Sequence, residues 1–348
     1  MAEKKQEKHL TRWIVSVVVI VVVLIAGVFT YNRYTAGNSA SGTTSKNDHY
    51  VLRLADESGV CEAPQQIAIA KGFFKKVGLK YQLVKLSAGT NGLDAITANK
   101  VDASNTMLAA LVQPLANGAN LKITTGLHTG CVSILTGKNS KITSAKQLKG
   151  KKIGVAEVAG SEATFTKRYL ANAGLNVTTN NSSVQFVTYD ASDLPIALSK
   201  GQVDAIAIED PDTEIAVKQY GFHILASMAS TKPFNTQYCC VAYVSDQLAQ
   251  QHPEIARKYT LAMQEATNWV AKHQAEAARL QVQDKYVAGN PLTNLAAMKT
   301  YNWEASYNGG KQDFLQVAES LQKIGVVSKD VDVDALVNRS FLKEKGIQ

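Results

Sequence analysis

The chain has 348 residues, 45% of them hydrophobic and 19% charged, with a formal net charge of +8 at pH 7. This apolar content excludes a disordered polymer, and the length allows two compact lobes. The dense basic run (Lys138, Lys141, Lys146, Lys149, Lys151 and Lys152) has no interleaved aromatics and reads as a solvated connector in preference to a nucleic-acid surface, so no nucleic-acid partner is expected.

Lys4, Lys5, Lys8 and Arg12 precede an almost unbroken apolar run from Trp13 to Phe29. At about 1.5 Å per residue such a helix nearly crosses a hydrocarbon core of roughly 30 Å. The expectation is a cytoplasmic tail over residues 1–12, a single-pass transmembrane helix over 13–31 and a flexible Ser/Thr/Gly/Asn linker over 32–47. A cleaved secretory signal ending near Asn38-Ser39-Ala40 is the alternative, and both place the remainder outside the cytoplasm.

Residues 51–86 read as strand, polar turn, helix, strand. Pro64 suits a first helical turn, where its missing N–H is not needed. Ile67, Ala70, Phe74 and Val77 share one helical face, and Gly78 is placed to stop the helix. Further short strands are expected at 101–104, 122–125, 132–135, 152–155, 185–188 and 203–208, with helical stretches between many of them. That alternation predicts an α/β fold with a parallel-rich sheet. Two segments echo each other: Gly92-Leu93-Asp94-Ala95-Ile96 leads to Val101-Asp102-Ala103, and Asp193-Leu194-Pro195-Ile196-Ala197 leads to Val203-Asp204-Ala205. Two similar lobes, each with a helix feeding a Val-Asp-Ala strand, would account for the echo.

The stretch Gly59-Val60-Cys61-Glu62-Ala63-Pro64, followed by Lys71-Gly72-Phe73-Phe74 and Gly78-Leu79, resembles the start of the mature domain in solute-binding proteins of ABC importers. The group it is most similar to is the nitrate, sulfonate, taurine and thiamine-pyrimidine type, and the resemblance spans residues 48–341. It implies a two-lobe periplasmic-binding-protein type II fold, with residues 48–141 plus 244–348 as the first lobe and 142–243 as the second. It also implies capture of a small-molecule ligand and its delivery to an ABC permease with its ATPase subunit. No cofactor and no covalent chemistry are implied.

In two facing α/β lobes the ligand groups come from loops at the carboxyl ends of strands. Here those loops supply Glu57, Cys61, Glu62, Ser104, Asn105, Thr106, His128 and Thr129 from the first lobe. Ser161, Glu162, Thr164, Glu209 and Asp210 come from the second. Ser161 and Thr164 open a helix, where hydroxyls and free N–H groups suit an oxyanion or simple capping. The sequence departs from its relatives in having Gly160-Ser161-Glu162 at that helix start and Glu209 before Asp210-Pro211. Carboxylates at Glu57, Glu62, Glu157, Glu162, Glu209 and Asp210 would repel nitrate or sulfonate, which favours a ligand with an amine, amidine or pyrimidine-like donor edge.

Cys61, Cys131, Cys239 and Cys240 are the only cysteines. A disulfide between Cys61 and Cys131 fits an extracytoplasmic domain, while adjacent Cys239 and Cys240 would bond each other only with strain. The Cys-x-x-Cys and His-x-x-x-His spacings of zinc sites are missing, so no metal is expected. Two other functions are compatible with the resemblance. One is an enzyme like thiamine-pyrimidine synthase, although only two cysteines stand at the cysteine-rich position. The other is a ligand-sensing receptor domain, which would need a signalling partner because residues 1–12 are too short for an output domain.

Overall fold

The computed structural model describes residues 49–87, 90–178 and 181–348. The expected tail, transmembrane helix and linker lie outside the described residues. Among the described residues no helix is long and apolar enough to cross a membrane.

Residues 50–348 form one compact unit built on two sheets. The first contains β1 (Val51–Asp56), β2 (Lys80–Lys85), β3 (Ala103–Met107) and β4 (Leu121–Thr129). The second contains β5 (Val132–Thr136), β6 (Lys152–Val155), β7 (Gln185–Thr188), β8 (Ala205–Glu209) and β9 (His223–Ser227). The chain then returns to the first sheet with β10 (Tyr238–Ser245) and β11 (Trp303–Ser306). Strand order is β11-β4-β10-β3-β1-β2 in the first sheet and β7-β6-β8-β5-β9 in the second. The two-lobe α/β architecture expected from the sequence is therefore present.

The parallel-rich expectation needs correction. β1 pairs parallel with β2 and β3, and β6 with β7 and β8. However, β10 is antiparallel to both β3 and β4, and β5 is antiparallel to both β8 and β9. The cause is topological: β5 and β10 are the first strands after each passage between sheets, and they insert against the direction of their neighbours. These passages also come earlier than 141/142 and 243/244. The chain leaves the first sheet between Thr129 and Val132 and re-enters it at Tyr238.

The segment after β1 is two helices, Ala63–Ala70 and Phe73–Lys76, where one was expected. Gly72 between them has φ 73°, a left-handed conformation that breaks the run. Pro64 does occupy the first turn, and Phe74 is fully buried. Farther on, Asn308-Gly309-Gly310 looks like a helix breaker, yet helix Tyr307–Lys323 runs through it. A Cβ at Gly310 would lie 2.8 Å from the Gly126 nitrogen, so the bare backbone lets this helix press directly on β4.

The sequence echo has a structural basis. Asp102 donates its N–H to the Arg53 carbonyl and accepts the Arg53 N–H on Oδ2 at 2.8 Å. Asp204 donates its N–H to the Lys152 carbonyl and accepts the Lys152 N–H on Oδ2 at 2.9 Å. Each Val-Asp-Ala aspartate thus clamps the backbone of the parallel strand beside it, β1 in one lobe and β6 in the other. The two differ in setting: the Asp102 side chain is 3% exposed and grips the Arg53 guanidinium, whereas that of Asp204 is 35% exposed beside Lys151. Asp102→Ala should therefore cost about 3 kcal/mol in urea unfolding, since it takes the carboxylate from the Arg53 guanidinium, leaving only its bonds to Asn99, and leaves a strand N–H without its acceptor. Asp204→Ala should cost about 1 kcal/mol. Equal losses would contradict this account of the clamps.

Candidate functional site

Between the two sheets lies a cleft of about 240 Å³. From the first lobe it is lined by Glu57, Ser58, Cys61 and Glu62 after β1, by Asn91 and Leu93, and by Thr106, Met107 and Ala110. The second lobe contributes Ala156, Glu157, Gly160, Ser161 and Glu162 after β6, and Glu209 at the end of β8. These loops sit where strands end and helices begin, which is the usual ligand position in open α/β sheets. Five lining residues are glutamates, and none is Lys, Arg or His.

Glu57 is fixed in place. Its Oε1 accepts the Gly92 N–H at 2.8 Å, and its Oε2 accepts the Ser104 hydroxyl. A Cβ at Gly92 would collide with the Glu57 carboxylate, the Ser104 hydroxyl and the Tyr243 hydroxyl, so this approach requires glycine. Burial nevertheless raises the Glu57 pKa above the ordinary carboxylate range. Glu62 is 7% exposed; its Oε1 faces the Cys61 sulfur at 3.7 Å, and its Oε2 has no hydrogen-bond partner. Burial, reinforced by Glu57 and other negative neighbours, holds the Glu62 pKa well above normal. Glu209 is also well above normal, through burial and then Glu162, and burial raises Glu162 itself. The buried Ser161 hydroxyl likewise lacks a partner. The cleft thus holds buried carboxyl groups that lack counter-ions among the described residues, together with an unsatisfied hydroxyl. It is a chemical complement to a hydrogen-bond-donating cation.

Of the thirteen expected site residues, Glu57, Cys61, Glu62, Thr106, Ser161, Glu162 and Glu209 line this cleft. The other six do not. Ser104 stands behind Glu57 as its donor. Asn105 is fully buried on β3, with neither side-chain polar atom partnered. Thr164 is buried within helix Ser161–Asn172. Thr129 accepts the Asn302 N–H on Oγ1 at 3.0 Å. Asp210 accepts the Tyr301 hydroxyl at 2.7 Å, a bond between the two lobes, and burial raises its pKa to about 6. His128 is fully buried, stacked on Tyr301 and packed against Trp303, with Nδ1 2.9 Å from the Thr129 carbonyl and Nε2 3.0 Å from the Cys61 carbonyl. Of the cleft residues beyond those thirteen, Glu157 carries its charge as a signal. Asn91 reads only as a helix cap, a role it also fills by accepting the Asp94 N–H.

The disulfide expectation is corrected. Cys131 is bonded to Cys239, while Cys61 and Cys240 are buried thiols. β10 lies beside β4 with Tyr238 opposite Thr129, which brings Cys239 against the turn at Gly130-Cys131. Cys239 therefore belongs to the first sheet, whereas the expected boundary at 243/244 places it in the second lobe.

The sequence pattern of the NMT1-like family matches residues 52–283. A Bacillus subtilis protein named for binding aliphatic sulfonates is 26% identical over 336 residues, covering 93% of this chain and 95% of that protein. Two solved structures share the fold. The alkanesulfonate-binding protein of Xanthomonas axonopodis pv. citri has a TM-score of 0.68 at 17% identity, covering 83% of this chain and 98% of its own. The periplasmic nitrate-binding protein of Synechocystis PCC 6803 has a TM-score of 0.71 at 15% identity, covering 84% and 86%. The matched pattern and the shared two-lobe, periplasmic-binding-protein-like fold together establish that this chain belongs to the NMT1-like family.

Proposed function

We propose that this chain is the extracytoplasmic substrate-binding subunit of an ABC-type importer and that its solute is a small cation with amine, amidine or aminopyrimidine-like donors. The capture role is supported by family membership, by the sulfonate-binding relative and by the cleft between two lobes. The ligand class rests on one observation: five glutamates and no basic residue line the cleft. A nitrate or sulfonate there would meet repulsion from both lobes without a compensating charge. Binding shifts an open–closed equilibrium because the solute touches Glu57 and Glu62 on one side and Glu162 and Glu209 on the other. The closed form then docks on a membrane permease with its ATPase subunit. The basic residues before the apolar run at 13–29 support attachment to the membrane through residues 13–31, with the binding unit outside.

The ligand class is tested by mass spectrometry of small molecules released from natively purified protein. Recovery of a nitrogenous cation is expected, and recovery of a sulfonate or other simple anion would contradict the reading. With that solute in hand, Glu62→Gln should weaken binding by about 2 kcal/mol, roughly thirtyfold. The same change should leave the melting temperature of the empty protein equal or higher. The sign follows from the raised Glu62 pKa: the folded state favours the protonated acid, so ionised Glu62 costs stability as pH rises. A lower melting temperature with unchanged affinity would remove Glu62 from the site.

Calorimetry in buffers of different ionisation enthalpy should show proton release on binding, because a bound cation restores the ionised forms of Glu62 and Glu209. Affinity should therefore fall as pH falls, by up to about tenfold per pH unit for each proton released. Proton uptake, or affinity that rises on acidification, would contradict a cationic solute.

A further inference from the structure

Beneath the acidic cleft, at the junction of the two sheets, the four cysteines form one buried group. The sulfur atoms of Cys61, Cys131 and Cys240 lie within 4.8 Å of one another, and Cys131 is bonded to Cys239. All four residues are 5% exposed or less. The bond between Cys131 and Cys239 joins the two places where the chain passes between sheets. Two free thiols packed against one disulfide is the arrangement that thiol–disulfide exchange requires.

His128 supplies the activating charge. A neutral imidazole has one N–H, yet both ring nitrogens of His128 stand at hydrogen-bond distance from carbonyl oxygens, which only accept. The geometry therefore calls for the imidazolium form, and a buried cation needs a counter-ion. Cys240 provides it. Burial alone pulls the His128 pKa down, but the Cys240 sulfur and the two carbonyls outweigh this and leave it raised. Conversely, burial pushes the Cys240 thiol up, yet the Cys61 thiol and His128 hold it down at about 6. Cys61 is driven well above its ordinary value, first by its hydrogen bond to Cys240, and so keeps its proton. The titratable groups facing Cys240 are Cys61, His128, Glu57, Glu62, Glu209 and Tyr301.

We propose that these residues form a thiol–disulfide exchange centre, in which Cys240 attacks the Cys131–Cys239 bond and Cys61 resolves the product. In the first step a Cys240–Cys131 bond forms, the Cys131–Cys239 bond breaks, and the Cys239 thiolate takes a proton from its surroundings. In the second, Cys61 gives up its proton and attacks Cys240, expelling Cys131, which takes that proton. Two thiols and one disulfide stand on each side, so no external oxidant or reductant is consumed. The net result moves the covalent link from the two inter-sheet passages to the pair Cys61–Cys240, between the cleft loop and β10. Cys61 lines the cleft, so the exchange lies directly under the bound solute whatever that solute is.

The test is non-reducing peptide mapping of the full chain, acid-quenched after incubation at a series of pH values and then alkylated under denaturing conditions. Trypsin leaves Cys239 and Cys240 in one peptide, and Cys61 and Cys131 in two others. The partner joined to the Cys239–Cys240 peptide therefore distinguishes the isomers. A Cys61-linked species should appear, its rate of formation rising about tenfold from pH 5 to pH 7 as Cys240 ionises. It should be lost in Cys240→Ser, while Cys61→Ser should retain only Cys131-linked forms. Absence of the Cys61 link at every pH in the wild-type protein would overturn the proposal, as would its undiminished formation in Cys240→Ser. Should that variant fail to fold, the wild-type pH series decides alone.

Discussion

The structure depends on the two passages between sheets lying side by side. β4 leaves the first sheet at Thr129, β10 re-enters it at Tyr238, and these two residues are paired across adjacent strands. Everything functional gathers around this seam. The disulfide ties its two sides, Tyr301 spans it to Asp210, and His128 is buried against it. Gly130 and Cys131 make the turn with φ of 94° and 88°, and a Cβ at Gly130 would strike the Tyr301 ring at 2.5 Å. A covalent link and an inter-lobe hydrogen bond tie the two sheets together directly beneath the cleft, whose loop-built side is where it can open.

On that side the energetics are set by unbalanced burial. Folding removes Glu62 from water and leaves one carboxylate oxygen unpartnered, which proteins avoid unless something else satisfies it. The physical consequence is a bias toward the protonated acid, since burial raises the pKa of Glu57, Glu62, Glu162 and Glu209 above the ordinary carboxylate range. A cation that replaced those protons would recover the charge–charge energy at the moment both lobes touch it. Under the proposed function, that would give a closing motion a source of differential affinity in the chain's own residues. The fold is shared with proteins named for binding alkanesulfonate and nitrate, whereas the cleft of this chain is lined by five glutamates and no Lys, Arg or His.

Much of this was legible in the sequence where local rules and tertiary context agreed. The Val-Asp-Ala echo proved to be a repeated backbone clamp, because an aspartate one residue before a strand can reach the neighbouring parallel strand in either lobe. The loops after β1 and β6 reach the cleft because strand ends in an α/β sheet converge there. What stayed hidden depended on long-range pairing. Nothing near Cys239 says that β10 lies beside β4, so neither the disulfide nor the early re-entry into the first sheet was readable. His128, Thr129 and Asp210 carry polar groups that suit a ligand equally well, and only packing shows them turned to carbonyls, to Asn302 and to Tyr301. Asn91 and Gly92 look like an ordinary helix start, while the part Gly92 plays in holding Glu57 is a matter of approach between segments.

The account turns on which charge the cleft accepts, and a crystal structure of the protein with its co-purified solute measures that directly. The prediction is a solute nitrogen about 3 Å from carboxylate oxygens of Glu62 and Glu209 at once, one from each lobe. An acidic group seated on the amino end of helix Ser161–Asn172, with those glutamates turned away from it, would contradict it.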